Sequence, residues 1–404
     1  LIDPVAGSKN SIAEALTNII WAPLKDNLKS VSLSANWMWP CKNEGEDARL
    51  YKAVQAISEF AIDLGINVPT GKDSLSMKQK YPNEEVISPG TVIISAAANC
   101  NDIANIVEPV LQHHGGAIYY INLSQDTYKL GGSSFAQILN KIGTEAPSIK
   151  NNELFKNTFN TLQELIKAGK IVAGHDVASG GLITTLLETC FADVNLGADF
   201  DISSLNEVDS IKVLFAENSG IIFQATDNSV ETVLSDANIE FHKIGTVNNS
   251  GIVTVKNNED AFTFNVSEMR KVWYHTSYLL DQKQTANGLA KARVENFAEQ
   301  PLQYTFPSHF TGKLPNSITS NGVERPKAAI IREKGSNSER EMANAMFLAG
   351  FDVKDVHMTD LISGRETLED IQFIGAVGGF SNSDVLGSAK GWAGAFLYNE
   401  KANT

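Results

Sequence analysis

The sequence predicts a mixed α/β fold whose last part is the first half of a doubly wound sheet. Two observations carry this. Apolar residues at helical spacing alternate with short apolar runs along the first 285 residues, and residues 327–380 read strand, helix, strand, strand, glycine pair. Residues 8–20 place Ile12, Leu16, Ile19 and Ile20 on one helical stripe, with Glu14 and Asn18 opposite. A second helix is expected over 46–64, with acids at its start, Leu50, Val54, Ile57 and Ala61 inward, and Gly65 as its stop. A strand over 66–69 leads into a turn at Gly71-Lys72-Asp73-Ser74, and strands follow at 91–98 and 119–123.

From about residue 110 the rhythm changes. A glycine-rich turn at Leu130-Gly131-Gly132-Ser133-Ser134 precedes an amphipathic helix over 153–168 and a strand ending in Gly174-His175-Asp176. Another helix starts after Gly180-Gly181, and an aromatic helix around Trp273, Tyr274 and Tyr278 closes this part. Residues 295–326 hold Pro301, Pro307, Pro315 and Pro326 among polar residues, the composition of a linker. The expected units are therefore 1–109, 110–285, a linker at 286–326, and 327–404, the last with strands at 327–332, 351–357 and 373–377 and a helix at 339–348.

Composition narrows the function. With 43% apolar and 20% charged residues the 404-residue chain is globular, which excludes disordered and fibrous classes. The net charge of −14, without a basic stripe, argues against a nucleic-acid partner. Cys41, Cys100 and Cys190 lack metal-ligand spacing and fit a reducing compartment. No apolar run reaches the roughly 18 residues of a membrane span, and no signal segment opens the chain, so a cytoplasmic location and no membrane partner are expected. The chain opens at Leu1 and stops at Thr404 within a strand and helix pattern, and the expectation is a piece of a longer protein.

Glu14 and Asn18, one helical turn apart, can reach one point in space with oxygen donors that suit magnesium. The same residues read as a Ser11-x-x-Glu14 capping box followed by an exposed amide. Asp176, at a strand end just before Gly180-Gly181, combines a carboxylate with backbone N–H groups that favour phosphate, or it merely caps the next helix. Lys72, Asp73 and Ser74 offer a phosphate or metal grip, or a tight turn with a solvated lysine. His175 reads as a packed histidine and not as a base, and Glu217 as a carboxylate just before a strand.

Strings in this chain resemble, in order, the formylglycinamide ribonucleotide amidotransferase family of the large single-chain type. They are Glu14-Ala15-Leu16-Thr17-Asn18, Leu33-Ser34-Ala35-Asn36-Trp37-Met38, Gly45-Glu46-Asp47, Gly71-Lys72-Asp73-Ser74-Leu75-Ser76-Met77 and Gly174-His175-Asp176. The last unit adds Arg332-Glu333, Gly335-Ser336-Asn337, Asp355-Val356-His357-Met358, Gly378-Gly379-Phe380-Ser381, Asp384-Val385-Leu386-Gly387 and Gly391-Trp392. The Gly378 to Trp392 run separates this resemblance from selenophosphate synthetases and small-molecule kinases of the same superfamily.

The resemblance implies two aminoimidazole-ribonucleotide-synthetase-like α+β domains, 1–109 and 110–285, followed at 327–404 by a truncated, flavodoxin-like class I glutaminase domain. It implies a ligase of purine synthesis that uses ATP, glutamine and a ribonucleotide, with this chain as the second synthetase half and the start of the glutaminase. Glu14, Asn18 and Asp176 then resemble magnesium ligands of an auxiliary ADP, with a further aspartate expected upstream of Leu1. Lys72, Asp73, Ser74, Asp176, Ala178, Gly180 and Gly181 resemble its nucleotide contacts, although the family usually has serine where Ala178 stands. Gly378, Gly379 and Phe380 resemble the oxyanion and glutamine site. No cysteine follows Cys190, and His357 is the last histidine, so neither nucleophile nor its base is present and the chain alone is expected to be inactive. An alternative is a structural ADP and magnesium module without chemistry. The expected partners are the first synthetase half, the rest of the glutaminase domain, or a second copy of this chain as a homodimer.

Overall fold

The computed structural model describes residues 2–297, 305–312, 324–385, 387 and 389–404. Close contacts divide the chain into two units, Leu1–Gln300 and Pro301–Thr404.

The first unit opens with α1 (Pro4–Ile19), capped by Asp3, whose carboxylate accepts from the N–H groups of Val5 and Ala6. A carboxylate there satisfies donors that no helical carbonyl can reach, and proline at the first position has no N–H to lose. The helix therefore begins a turn before its apolar stripe. Ser11 lies mid-helix with its hydroxyl donating to Gly7 O at 2.9 Å, which excludes the capping-box reading.

β1 (Ser32–Met38), α2 (Glu46–Leu64) and β2 (Asn67–Ser74) form a parallel crossover. α2 ends as expected at Gly65, which has φ 76° and donates its N–H to Ala61 O. Its inward stripe is rotated from the expected one: Ala53, Ala56, Phe60 and Leu64 join Ile57 and Ala61, while Val54 is 44% exposed. β3 (Lys78–Lys80) and β4 (Glu85–Ile87) make a small hairpin, and β5 (Thr91–Ala97) runs antiparallel to β1, giving a sheet of order β2-β1-β5. The segment Gly71-Lys72-Asp73-Ser74 is not a turn. It continues β2, pairing Gly71 with Ala35, Lys72 with Asn36, Asp73 with Trp37 and Ser74 with Met38. Glycine suits this position because a Cβ at Gly71 would stand 2.8 Å from Ala35 O.

A seven-stranded sheet follows. Its members and flanking helices are β6 (Ile118–Ile121), α3 (Ser134–Ile138), α4 (Asn152–Lys167), β7 (Ile171–Asp176), α5 (Gly181–Glu188), β8 (Gly197–Asp201), α6 (Ser210–Phe215), β9 (Ile221–Ala225), α7 (Ser229–Asp236), β10 (His242–Asn248), β11 (Ile252–Asn257) and β12 (Asp260–Asn265). The order is β12-β11-β8-β10-β6-β9-β7, antiparallel except for the β11 and β8 pair. β6 is buried at every position. Tyr119 and Ile121 face one apolar cluster, shared with α1, α2 and α4, while Ile118 and Tyr120 face another, shared with α5, β8 and β11. A strand with both faces covered reads as a continuous apolar run and not as an alternation. The first cluster joins residues from Ile12 to Ile239, so the stretches 1–109 and 110–285 share a core.

α8 (Val266–Gln284) is followed by α9 (Leu289–Asn296). This helix lies where a linker was expected. Stacking of Tyr274 on Phe297 at 4.2 Å and an ion pair from Arg293 to Asp281 at 2.8 Å hold its ends to α8. Of the linker prolines, Pro301 and Pro315 lie outside the described residues.

The second unit contains β13 (Lys327–Arg332), α10 (Glu339–Leu348), β14 (Asp352–His357), α11 (Met358–Ser363), β15 (Phe373–Ala376), α12 (Ala389–Tyr398) and α13 (Glu400–Asn403). Its sheet is all parallel with order β14-β13-β15. The chain first adds a strand on one side of β13 and then on the other, the reversal that defines a doubly wound sheet and opens a crevice at the strands' carboxyl ends.

Glycine at position 174 lies against Trp21, and an added Cβ would overlap the Trp21 ring. Gly174→Ala is expected to destabilise the first unit by about 1–3 kcal/mol through overpacking. A urea midpoint unchanged from that of the parent chain would show that Trp21 yields freely.

Candidate functional site

α1 aligns Asn10, Glu14 and Asn18 along one line of the helix, four residues apart. The Asn18 amide donates to Glu14 O at 2.7 Å, and the Asn10 amide donates to Pro147 O at 2.8 Å. Glu14, Asn10, Ser11 and Gly7 form one wall of a cavity of about 250 Å³, and Val177, Ala178, Ser179, Glu217 and Ser219 form the other. A second cavity of about 690 Å³ shares Gly7, Asn10 and Glu217 with it and adds Gly131, Gly132, Lys141 and Asp3. Asn18 lines a third, beside Glu14 and β5.

Asp176, the last residue of β7, is buried at 7% exposure. Its carbonyl accepts from Thr185 at 3.1 Å, which ties the strand end to α5. Burial, reinforced by the negative charges of Asp176 and Glu217, raises the Glu14 pKa to about 6, against the opposing hydrogen bond from Asn18. Glu14 reaches solvent at the mouth, yet the surrounding walls and two like charges still disfavour its ionised form. Three carboxylates thus converge on one region. Among the described residues no group of three or more His, Cys, Asp or Glu side chains is arranged to hold a metal by itself. Glu14, Asn18 and Asp176 all carry oxygen donors of the kind a hard cation takes, but Asn18 lines only the third cavity, beside Glu14, and Asp176 lines none of the three.

His175 lies beside this set. Burial disfavours its charge, but hydrogen bonds with Asp176 and Glu188 outweigh that and raise its pKa to about 10. Its Nε2 lies 3.2 Å from Glu188, and Glu188 accepts from Trp273 Nε1 at 2.6 Å. The histidine is packed and hydrogen-bonded, as its sequence context suggested.

The phosphate cradle expected at Gly180-Gly181 is already occupied from within. Glu217 Oε1 accepts from Gly180 N at 2.8 Å and from Ser134 N at 2.8 Å, while Gly181 N donates to Ala178 O at 3.0 Å. Lys72, Asp73 and Ser74 do not join this region: they lie on β2, Lys72 hydrogen-bonds Ser74, and none of them lines the cavity of Glu14 and Glu217. The residues that sequence reasoning underrated are Asn10, Glu217 and Ser219. Asn10 had a signal, since it lies four residues before Glu14. Ser219 had none, because β9 and the glycine turn meet only in the folded chain. Ser219 lines the cavity wall that also carries Ala178.

In the second unit, Gly378 and Gly379 follow β15 at the crevice of the doubly wound sheet. Gly378 O accepts from Asn337 N at 2.8 Å, and Gly379, with φ 121°, would bring a Cβ within 2.7 Å of Gly335 O. Phe380 is 67% exposed beside them. His357 caps α11, its Nδ1 accepting from Thr359 N, while its own N–H donates to Asp360 Oδ2 at 3.1 Å, a structural role.

Three domain families match the chain in this order: the FGAR-AT PurM_N-like domain over residues 1–99, the C-terminal domain of AIR synthase related proteins over 115–257, and the CobB/CobQ-like glutamine amidotransferase domain over 325–404. Phosphoribosylformylglycinamidine synthase of Homo sapiens is 38% identical over 416 residues, covering 100% of this chain and 30% of the human protein. A probable chloroplastic or mitochondrial phosphoribosylformylglycinamidine synthase of Arabidopsis thaliana is 37% identical over 412 residues, covering 99% of this chain and 29% of that protein. Over nearly its whole length the chain is similar to phosphoribosylformylglycinamidine synthases. It spans 29–30% of the length of these curated relatives. Among solved structures, PurL of Thermotoga maritima complexed with FGAR superposes with a TM-score of 0.51 at 13% identity, over 67% of this chain and 43% of that one. PurLQS of the same organism gives 0.50 at 13% identity, over 67% and 42%. At that identity the likeness speaks for the fold alone, and the fold agrees with the α/β expectation.

The raised pKa of Glu14 has a definite sign. Below the ordinary carboxylate pKa of 4.5 both folded and unfolded chains hold the proton, and between 4.5 and about 6 only the folded chain does. Ionised Glu14 therefore weakens the fold as pH rises through this window, and the penalty is complete above it. In EDTA, Glu14→Gln is expected to melt higher than the parent chain at pH 7 and equally at pH 4. A lower melting temperature at pH 7 would contradict the repulsion.

Proposed function

We propose that this chain works within an ATP-dependent amidotransferase that converts formylglycinamide ribonucleotide and glutamine to formylglycinamidine ribonucleotide in purine synthesis. It supplies the second synthetase half, with domains at 1–109 and 110–285 and a connection over 286–326, and the opening of a class I glutaminase domain at 327–404. The observation that carries the reading is identity of 37–38% to phosphoribosylformylglycinamidine synthases across 99–100% of the chain. Its partners are the first synthetase half and the remaining glutaminase residues, which lie in the length of the relatives that this chain does not span. Homodimerisation of the isolated chain and a cytoplasmic location belong to the same reading. Among the described residues no helix is long and apolar enough to cross a membrane.

Within the first unit, Glu14, Asn18 and Asp176 hold magnesium together with a nucleoside diphosphate. When bound, the cation supplies the positive charge that the phosphates and converging carboxylates lack. The fit rests on the oxygen donor set, on the repulsion felt by Glu14, and on the buried Ser219 Oγ and Asn10 Oδ1, which have no hydrogen-bond partner among the described residues. Ala178 and Ser179 line the pocket for the phosphates, and the exposed Lys72-Asp73-Ser74 segment does not. In the second unit, Gly378, Gly379 and Phe380 form the start of the glutamine site, whose nucleophile and base come from elsewhere, because the chain has no cysteine after Cys190 and His357 is committed to capping.

A second reading keeps the binding and drops the chemistry: the nucleotide organises the fold and nothing is transferred. The seating of Glu217 on Gly180 N and Ser134 N favours it, because these two N–H groups are thereby taken and do not face charge developing on a transferred phosphoryl group.

Magnesium-ADP at about a hundred times its Kd is expected to stabilise the 404-residue polypeptide by about 2.7 kcal/mol. Thermal denaturation should show this shift in the parent chain and lose it in Glu14→Ala and Asp176→Ala. The absence of any shift in the parent would refute nucleotide binding. The same polypeptide is expected to release no ammonia from glutamine, and measurable release would refute the assignment of the nucleophile to another segment.

A further inference from the structure

Glu217 stands on the ridge shared by the two adjoining cavities of about 250 and 690 Å³. One oxygen of its carboxylate accepts two backbone N–H groups from separate segments, Gly180 at the start of α5 and Ser134 at the start of α3. An anion held by backbone N–H groups, one of them at the start of a helix such as the eight-residue α5, is the arrangement by which proteins hold phosphate. Here the anion is a side chain of the protein itself. The remaining lining is also negative in balance: Glu14 and Glu217 face the smaller cavity, and Asp3 opposes Lys141 in the larger.

An independent observation marks the smaller cavity as a ligand site. Ser219 is 9% exposed, its Oγ has no hydrogen-bond partner among the described residues, and it lines this cavity together with Glu217. The Oδ1 of Asn10 on the opposite wall is likewise buried without a partner among them. A hydroxyl and an amide oxygen buried without partners, on two side chains that line one small space, are costly unless something polar reaches them.

We propose that Glu217 is a specificity-determining residue: an internal phosphate mimic that bars free anions from this cleft and admits a phosphate group only when a divalent cation accompanies it. A bare phosphate in the smaller cavity meets Glu14 and Glu217 and finds the Gly180 and Ser134 donors taken. A phosphate that brings a cation cancels the repulsion, uses the oxygen donors of α1 and β7, and leaves the carboxylate on its N–H groups undisturbed. Glu217 thereby also ties Ser134, at the end of the glycine-rich turn, to Gly180 at the start of α5. The inference deepens the nucleotide reading, yet its central element, the occupied N–H pair, is testable without nucleotide.

The test uses the 404-residue chain, its Glu217→Ala and Glu217→Gln variants, and two probes: inorganic phosphate in EDTA, and ADP with or without magnesium. Binding is read by calorimetry and thermal denaturation. Phosphate in EDTA is expected to leave the parent chain unaffected and to stabilise Glu217→Ala, with affinity gained by at least about tenfold from the two released donors. Glu217→Gln, which keeps the shape and loses the charge, is expected to bind ADP in EDTA at least about tenfold more tightly than the parent. If Glu217→Ala does not fold, Glu217→Gln decides alone. Phosphate binding to the parent as tight as to a folded variant overturns the proposal, and so does a folded variant that gains no affinity for either metal-free probe. Failure of magnesium-ADP to bind the parent counts against the nucleotide reading, while a phosphate response confined to the Glu217 variants still upholds the role of Glu217.

Discussion

Burial of β6 and β9 on both faces is the constraint on which the first unit depends. Tyr119, Ile121, Ile221 and Phe223 turn to one side, and Ile118, Tyr120 and Ile222 to the other. Leaving any of these against water would forfeit roughly 1.5–3 kcal/mol apiece, so each face of the sheet must carry a helical layer. α1 and α4 share the apolar cluster on one side and α5 that on the other. The edge strand β7 then ends between the two layers, with Asp176 at its tip and α1 alongside. Glu14 faces Asp176 because the helix that carries it cannot leave the sheet without exposing Ile12, Leu16 and Ile20.

The convergence of Glu14, Asp176 and Glu217 is therefore an electrostatic strain held by packing. No carboxylate would choose two neighbours of like charge in a partly dry cleft. The fold tolerates the arrangement because each acid has a separate tether. The Asn18 amide bonds within the same turn of α1 as Glu14, Asp176 shares His175 with Glu188, and Glu217 rests on two backbone N–H groups. Such tension persists where a ligand relieves it, which is why perturbed acids in a cleft point to function more strongly than the same acids on a surface.

Much of this was legible in the chain, and the exceptions share a cause. The extents of α2 and β13, the stop at Gly65 and the strand that ends at Asp176 could be read from local spacing and glycine placement. Spacing also placed Glu14 and Asn18 on one face of α1. Errors arose where pairing across the fold overrode local signals. Gly71-Lys72-Asp73-Ser74 has the composition of a turn, but β1 supplies a partner strand and keeps it extended. Residues 289–296 have linker neighbours, but α8 gives them a surface to fold against. Ser219 and Glu217 could not be ranked at all, because their importance depends on Gly180, Ser134 and Asn10, which are distant in sequence.

The second unit shows how far geometry reaches without the chemical groups. Its parallel order places Gly378 and Gly379 at the reversal point of the sheet, where a loop can present backbone N–H groups to a ligand. Gly379 is required by close approach, since any side chain would meet Gly335 O, and the bridge between Ser336 and Gly379 fixes the two loops together. These contacts make a rigid floor. Under the proposed glutamine-site reading such a floor matters, because alignment in advance of reaction is what oxyanion donors contribute. Placement of the Gly378–Gly379 loop thus depends on the first strands of the sheet and on the loop that carries Gly335 and Ser336.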